Sequence, residues 1–146
     1  MPLIVVGADT TWGEALLEGL SPREREVRVF VSDQARGVEL RERGFKVATG
    51  DVSDESHVEA AATRCFSAVL IAAAAHDERE RSFADSAEAV LRGWANAVAN
   101  SKVTRVIWVT GDDPPDTAVA EVAVVDPSTA DFVHRVIALD DASSLR

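Results

Sequence analysis

The sequence predicts an α/β fold, a doubly wound parallel sheet of about six strands with helices on both faces. Short runs rich in Val and Ile recur along the 146 residues. Most of these runs are continuously apolar rather than alternating, as expected of strands that are buried on both faces. The segments between them carry apolar residues at helical spacing, so strands and helices alternate along the chain.

Six apolar runs are predicted as strands joined by right-handed crossovers. No linker rich in Gly, Ser or Pro divides the chain, and no internal repeat is present, so residues 1–146 are predicted to form a single domain. The predicted strands are Leu3–Val6, Val27–Val31, Phe45–Ala48, Ala68–Ala72, Val103–Val109 and Glu121–Val125.

Three predicted helices have a clear apolar stripe. The first, Thr11–Leu20, ends before a Ser-Pro pair. The longest, Ser82–Asn100, carries apolar residues at spacings of three and four. The last is expected to be capped by Ser128, with Asp131 in its first turn. Its predicted buried stripe is Phe132, Val133, Val136 and Ile137.

Composition disfavours several classes of partner. The formal net charge of -10 argues against nucleic acid, whose phosphates need a basic patch, and against an anionic membrane surface. The one cysteine, Cys65, cannot form an intramolecular disulfide and is interpreted as a semi-buried, inert thiol. The apolar start is too short for a signal-peptide core or a membrane span. We therefore expect a cytoplasmic protein.

The stretch GADTTWG, residues 7–13, joins the first strand to the first helix. Ligands of doubly wound sheets bind at the carboxyl ends of the strands, where this turn lies. Gly7 permits a tight turn, and Gly13 lets the helix pack close to its strand. The backbone N–H groups of Thr11 and Trp12 begin the helix and can receive an anion. The pattern fits a nucleotide-phosphate site, and it equally fits a βα turn that holds no ligand.

Asp33 follows the second strand, twenty positions after Gly13, where an acid commonly accepts the hydroxyls of the adenosine ribose. A solvated loop acid is the alternative. The third strand leads into ATGDVSDESHVEAA, and the fifth reads VTRVIWVT. With these elements, the chain resembles the atypical short-chain dehydrogenases, particularly the NmrA-like and NAD(P)H-binding group. That group has a GATGxxG turn, a VRVLVRD-like second strand and a GDLxDxxSL-like segment in this order.

The resemblance covers essentially the whole chain and implies a Rossmann fold that binds a dinucleotide. It implies that Asp51 and Val52 border the adenine, and that Ala72 and Ala73 line the cofactor after the fourth strand. Asp51 could instead cap the helix that follows it, together with Ser53 or Asp54. The predicted cofactor-binding residues are Gly7, Ala8, Thr10, Thr11, Trp12, Gly13, Ser32, Asp33, Asp51, Val52, Ala72 and Ala73.

Departures from the family pattern concern the phosphate and ribose contacts. Thr10 stands where the middle glycine brings the backbone against the pyrophosphate, so its side chain must point away, move the phosphates or block them. Asp9 places a carboxylate beside the expected phosphate. Ser32 stands where an arginine often holds the 2′-phosphate of NADP, so NAD is predicted over NADP. The sequence is thus a truncated relative with a degenerate glycine motif, and we expect NAD binding to be weakened or lost.

Many aspartates are expected at the carboxyl edge of the sheet, where they make the potential negative and oppose a pyrophosphate. The helix dipole and the backbone donors act in the opposite direction. These aspartates are Asp9, Asp33, Asp51, Asp77, Asp112, Asp113 and Asp126.

The sequence contains no tyrosine, so the catalytic Tyr-x-x-x-Lys of the family cannot be present, and no catalytic residue or metal site is assigned. His76, with Asp77 and Glu78, could serve acid–base chemistry or bind a metal, but a solvated loop histidine is the simpler interpretation. Thr110 stands where the family often has a serine. We expect a sensor or accessory subunit. The alternatives are a small oxidoreductase or isomerase and a cofactor-free interaction scaffold.

A homodimer is predicted through the helix Ser82–Asn100, which is apolar over a wide arc. Ala84, Ala87, Ala95 and Ala97 would permit close approach of a second copy. In the family that the chain resembles, the matching helix often forms a two-fold interface. A different protein partner is the further expectation.

Overall fold

The computed structural model describes residues 2–76 and 84–145. All strands lie in one parallel sheet with the order β3-β2-β1-β4-β5-β6, so the strand order reverses between β1 and β4. The predicted fold class is confirmed. The strands are β1 (Leu3–Val6), β2 (Val27–Val31), β3 (Lys46–Thr49), β4 (Ser67–Ile71), β5 (Arg105–Val109) and β6 (Glu121–Val125).

In the described part of the chain, five α-helices cover the sheet, three on one face and two on the other. Those on the first face are α1 (Thr11–Leu20), α2 (Gln34–Glu42) and α5 (Phe132–Asp141). Those on the second face are α3 (Glu55–Ala62) and α4 (Ala87–Asn100). Two short 3-10 segments, Ser21–Glu26 and Ala72–His76, follow α1 and β4. The connection between β5 and β6, residues 110–120, is described throughout and contains no helix.

Two elements start at later residues than the apolar pattern predicts. β5 begins at Arg105 rather than Val103, because the N–H of Val103 donates to the carbonyl of Val98 and closes the end of α4. Lys102 has the left-handed φ of 64° that such a helix end requires. The longest helix begins at Ala87 with Ser86 as its cap, and the predicted Ser82 and Phe83 lie outside the described residues.

The predicted cap of the last helix is wrong. The hydroxyl of Ser128 donates to Oδ1 of Asp126 at 2.7 Å, and α5 begins four residues later at Phe132. Asp131 occupies the cap position without a side-chain bond to the helix. The predicted apolar stripe is confirmed, since Phe132 and Val136 are buried and its other two members are half-buried against the same core.

Arg105, at the start of β5, is fully buried and closes the carboxyl end of α5. Its Nη1 donates to the carbonyls of Leu139, Asp140 and Ala142 at distances between 2.7 and 2.9 Å. Its Nε donates to Glu121 on β6 at 2.7 Å. The buried charge is therefore paired and hydrogen-bonded, as burial of a guanidinium demands. The charge also ties β5, β6 and α5 together.

Two tryptophans are fully buried in the second-face core, where each indole N–H has a partner. Trp94 donates to the carbonyl of Val52 at 2.7 Å, and Trp108 donates to the hydroxyl of Thr117 at 3.0 Å. The first bond anchors the loop after β3, and the second draws the β5–β6 connection against the sheet. Across residues 2–76 and 84–145, no helix has the length and hydrophobicity needed to cross a membrane.

Candidate functional site

The β1–α1 turn lies at the point where the strand order reverses, and both of its glycines are required by close approach. Gly7 has a φ of +92°, and a Cβ there would lie 3.0 Å from the carbonyl oxygen of Ile71. A Cβ on Gly13 would lie 2.3 Å from the carbonyl oxygen of Gly7. The turn therefore packs against the end of β4 and against the first turn of α1. Ala8, between the two, is fully buried.

Thr10 is the N-cap of α1, a role that nothing in the local pattern assigned to it. Its hydroxyl donates to the carbonyl of Gly7 at 2.6 Å and accepts from the N–H of Gly13 at 3.0 Å. The hydroxyl is thus directed into the turn, away from the space in front of the helix. The cap satisfies one of the four N–H groups that a helix start leaves without an internal partner.

The first-turn N–H groups that remain belong to Thr11 and Trp12. Neither has a hydrogen-bond acceptor within the part of the chain that the structure describes. Both residues are exposed, and the Trp12 ring meets Phe132 edge-on with ring centroids 5.5 Å apart. Two open donors at the positive end of a helix, in front of a turn that only glycine can form, fit a phosphate group.

An open cavity of about 530 Å³ adjoins this turn. The guanidinium of Arg36 reaches it from α2 and pairs with Glu14 of α1 and with Glu39, the latter at 2.6 Å. Glu14 also pairs with Arg43 at 2.8 Å. The cavity lining therefore remains acidic, because Asp9, Glu14 and Glu18 accompany one arginine that is already paired with Glu14 and Glu39. Its lining residues are Asp9, Thr10, Thr11, Glu14, Ala15, Glu18 and Arg36.

Asp33 is exposed at the end of β2, and it caps α2. Its Oδ1 accepts from the N–H groups of Ala35 at 2.9 Å and Arg36 at 3.3 Å. Asp33 is thus an exposed acid that also has a structural role as a helix cap. Ser32 lies beside it with a buried hydroxyl that has no partner among the described residues.

The loop after β3 is organised by Asp51, which is not the cap of the following helix. Its Oδ1 accepts from the N–H of Ser53 at 2.8 Å and from the Ser53 hydroxyl at 2.6 Å. The cap of α3 is Asp54, and the hydroxyl of Ser56 that donates to its carboxylate lowers the pKa of Asp54. The N–H of Asp51 donates to Nδ1 of His57 at 3.1 Å, so that nitrogen is an acceptor. Val52 is buried and contributes its carbonyl to Trp94.

A second cavity of about 660 Å³ lies between α4 and the β5–β6 connection. Ala72, His76 and Thr110 all line it, so the structure brings together the two residues that the enzyme alternative named. The Thr110 hydroxyl accepts from the N–H of Asp112 at 3.1 Å. Ala73, next to Ala72 in the 3-10 segment, is exposed and does not line this cavity.

Asp77 and Glu78, which the sequence associates with His76, lie outside the described residues. Within the described ranges, no three His, Cys, Asp or Glu side chains are grouped so that they could hold a metal ion.

Comparison with known proteins gives one family match and many structural ones. The profile of the NAD(P)H-binding family matches residues 7–141. No curated protein sequence matches the chain. The triphenylmethane reductase of Citrobacter sp., solved with NADP(H), superposes with a TM-score of 0.64 and 14% identity over 75% of this chain and 37% of that chain.

Two proteins of Escherichia coli are similar to a comparable extent. Its NADPH-dependent quinone oxidoreductase has a TM-score of 0.62 and 19% identity over 74% of this chain and 36% of that chain. ChuY, the anaerobillin reductase of strain O157:H7, has a TM-score of 0.58 and 23% identity over 75% of this chain and 50% of that chain. At these identities the likeness concerns the fold, and it spans half or less of each relative's length.

Proposed function

The chain belongs to the NAD(P)H-binding family, and on this premise we propose that it binds a nicotinamide adenine dinucleotide with the pyrophosphate at the start of α1. The predicted resemblance to the NmrA-like atypical short-chain dehydrogenases is confirmed. One observation carries the proposal. The glycine-closed turn of residues 7–13 presents the N–H groups of Thr11 and Trp12, without acceptors in the described chain, at the strand-order reversal.

We expect this binding to be weaker than that of an intact glycine motif. The hydroxyl of Thr10 already uses the N–H of Gly13, so the helix start offers a dinucleotide two first-turn donors instead of three. Asp9 is exposed beside them and adds an unfavourable negative charge. The helix dipole and the nearby Arg36 counter that charge.

The choice between NAD and NADP rests on Asp33 and Arg36. Oδ1 of Asp33 is used by the helix cap, which leaves Oδ2 to accept a ribose hydroxyl and supports the predicted preference for NAD. Arg36 supports NADP, because its guanidinium lines the cavity beside the helix start and would bind a 2′-phosphate in exchange for its pair with Glu14 or Glu39. Among the structural relatives, the triphenylmethane reductase was solved with NADP(H), and the quinone oxidoreductase depends on NADPH. We therefore expect NADP(H) to bind at least as tightly as NAD(H).

The role that we propose for bound cofactor is sensing, or service as an accessory subunit, rather than conventional dehydrogenation. The absence of any tyrosine removes the usual proton donor of the family. Occupancy by a reduced or oxidised dinucleotide would then be the signal that a partner reads.

Calorimetry and thermal shift with NAD(H), NADP(H), FAD and AMP test the proposal. The sharpest variant is Thr11→Pro, which deletes one donor at the first helical position, where proline is favoured. Thr10 precedes it with φ -99° and ψ 166°, a conformation that a following proline accepts. We expect Thr11→Pro to keep its fold and to bind about tenfold more weakly. Glu55→Pro, at the first position of α3, is the matched control and should bind as the wild type does.

The nucleotide preference is tested in the same assay with Arg36→Gln and Asp33→Asn. Arg36→Gln should weaken NADP(H) more than NAD(H), whereas Asp33→Asn should weaken NAD(H) more. If neither the wild type nor Thr10→Gly responds to millimolar nucleotide, the cofactor proposal fails and the cofactor-free scaffold replaces it.

A second candidate, a small oxidoreductase or isomerase, is supported by the cavity of about 660 Å³ that His76 and Thr110 both line. Its test is NAD(P)H turnover against a panel of carbonyl compounds and quinones. Activity that His76→Ala or Thr110→Val abolishes, with nucleotide binding retained, would replace the sensor role by catalysis. A lack of turnover by a protein that binds nucleotide favours the sensor.

A further inference from the structure

Within residues 2–76 and 84–145, β6 is the last strand of the sheet, and no strand pairs with its outer edge. The N–H of Glu121 donates to Thr104 and the carbonyl of Val125 accepts from Thr110, both at 3.0 Å. Backbone groups alternate between the two sides of a strand, so those of Val122 and Val124 face away from β5. A free edge of this kind is a template for another strand.

The same two valines also present their side chains on a sheet face that is incompletely covered. They lie in register with Val106 and Trp108 of β5, which are fully buried beneath the second-face layer. Val122 and Val124 are 44% and 45% exposed. The reason is the helix-free β5–β6 connection, because in a parallel sheet a crossover helix normally covers this face.

The segment of the chain that contains this edge is rich in acidic residues. Residues 106–134 contain six acidic residues and no lysine or arginine. Glu121 is neutralised by Arg105, with Nη2 and Oε2 2.7 Å apart. The bond from Trp108 to Thr117 holds the acidic connection beside the valine face. The other five acids of the segment are Asp112, Asp113, Asp116, Asp126 and Asp131.

We propose that β6 is a docking edge for an extended, basic segment of a different protein, which adds to the sheet as a further strand. The backbone of Val122 and Val124 supplies the hydrogen bonds, and their side chains supply apolar contact. The surrounding carboxylates select lysine or arginine in the incoming segment. A second copy of this acidic chain would bring like charges together at this edge, so the occupant is a partner of opposite charge.

The test uses the full chain and a fluorescent peptide that alternates lysine and valine. We expect saturable binding that weakens at high salt, with amide shift changes in the NMR spectrum centred on residues 121–125. The double variant Val122→Thr/Val124→Thr keeps β-branched side chains and should bind about tenfold more weakly. Val38→Thr removes a 53% exposed valine from α2 and is the matched control. Circular dichroism checks that each variant is folded.

Two further peptides separate the contributions. A peptide with glutamate in place of lysine should not bind, and one with N-methylated valines should lose binding because its edge hydrogen bonds are blocked. Equal binding by the double variant, or by the glutamate peptide, would overturn the proposal. Light scattering that finds a dimer converted to monomer by the double variant would assign the edge to a second copy instead.

Discussion

At the residue scale, Thr10 explains how the phosphate turn differs from an intact glycine motif. The sequence predicts that a side chain replaces a glycine, but it does not predict where the hydroxyl points. The direction depends on the carbonyl of Gly7 and the N–H of Gly13, which the folded turn brings to 2.6 and 3.0 Å from the hydroxyl. Thr10 therefore stabilises the start of α1 and at the same time uses an N–H group that a phosphate could otherwise bind.

Removal of this cap should lower the stability of the domain. We expect Thr10→Ala to reduce the free energy of unfolding by about 1 kcal/mol, whereas Thr10→Ser retains the hydroxyl and stays close to the wild type. Urea unfolding followed by circular dichroism measures both. Equal losses in the two variants would show that the methyl group, and not the cap, matters for stability.

Cys65 is buried, and this burial raises the pKa of its thiol. The thiolate is the reactive form, so at pH 7.5 the native protein should react with a disulfide reagent much more slowly than the protein unfolded in urea. The measurement is the rate at which Cys65 reacts with the reagent, determined as a function of urea concentration. A native rate equal to the unfolded rate would contradict the inert role that the sequence predicts.

At the element scale, α5 is held by contacts distant in sequence. Arg23, in the 3-10 segment after α1, pairs with Asp141 at 2.6 Å and with Asp140 at 3.3 Å. Arg105 bonds the last carbonyls of the same helix from inside the sheet. Neither arginine carries a local signal that it closes a helix more than thirty residues away, because the contact exists only after the chain has folded.

The Arg23–Asp141 pair should make stability depend on pH. The hydrogen bond from Arg23, followed by the attraction of its charge, lowers the pKa of Asp141 in the folded state. The pair therefore stabilises the folded state at neutral pH. This stabilisation is lost as the pH falls below about 4, the ordinary pKa of an aspartate, and then through the lowered pKa of Asp141. Asp141→Asn should melt below the wild type at pH 7, and the gap should narrow by pH 3. Asp113→Asn, which removes a charge from an exposed loop, is the control and should leave the melting temperature unchanged at both pH values.

Arg105 offers a stronger test of how α5 is fixed. Arg105→Met should lower the free energy of unfolding by about 3 kcal/mol, because it leaves the Glu121 charge without its partner in the sheet. Adding Glu121→Leu should restore part of the loss, since no charge is then stranded. Chemical denaturation of the single and double variants measures the difference. A double variant less stable than Arg105→Met would contradict the pairing argument.

Local pattern accounts for the elements whose ends are local. The predicted bounds of β1, β2, β6 and α1 agree with the structure, because each is a run of strong apolar signal ended by Gly, Pro or a polar cap. β5 starts later than predicted because the left-handed residue Lys102 ends α4 just before it. α5 starts later than predicted because Ser128 bonds Asp126 in the preceding loop instead of capping the helix. Of the site, the glycine turn follows from sequence, but the ion pair between Arg36 and Glu14 does not, since it depends on how α2 packs beside α1.

At the scale of the whole molecule, the two proposed binding surfaces lie at different parts of the same sheet. The order reversal between β1 and β4 places the glycine turn at the centre of the carboxyl edge, beside the cation of Arg36. The far side ends in β6 and an acidic connection without a helix. The family membership and the nucleotide proposal concern the first surface, and the docking proposal concerns the second. The two can be tested independently.

The homodimer through α4 stays a prediction, and the structure narrows the residues that could form it. Ala95 and Ala97, expected at the interface, are buried in the core of the monomer. The exposed positions of α4 are Glu88, Arg92, Asn96 and Asn100, and the first two pair at 3.5 Å along the helix.

In a two-fold antiparallel pair of α4 helices, Glu88 of each copy can face Arg92 of the other, which makes the surface self-complementary. We expect light scattering to find a dimer that Arg92→Glu dissociates, because that change sets carboxylates against each other across the axis. The exchanged variant Glu88→Arg/Arg92→Glu should dimerise again, since the opposite charges then meet in reversed order. A monomer at high protein concentration would remove the dimer, and a dimer indifferent to Arg92→Glu would place its interface elsewhere.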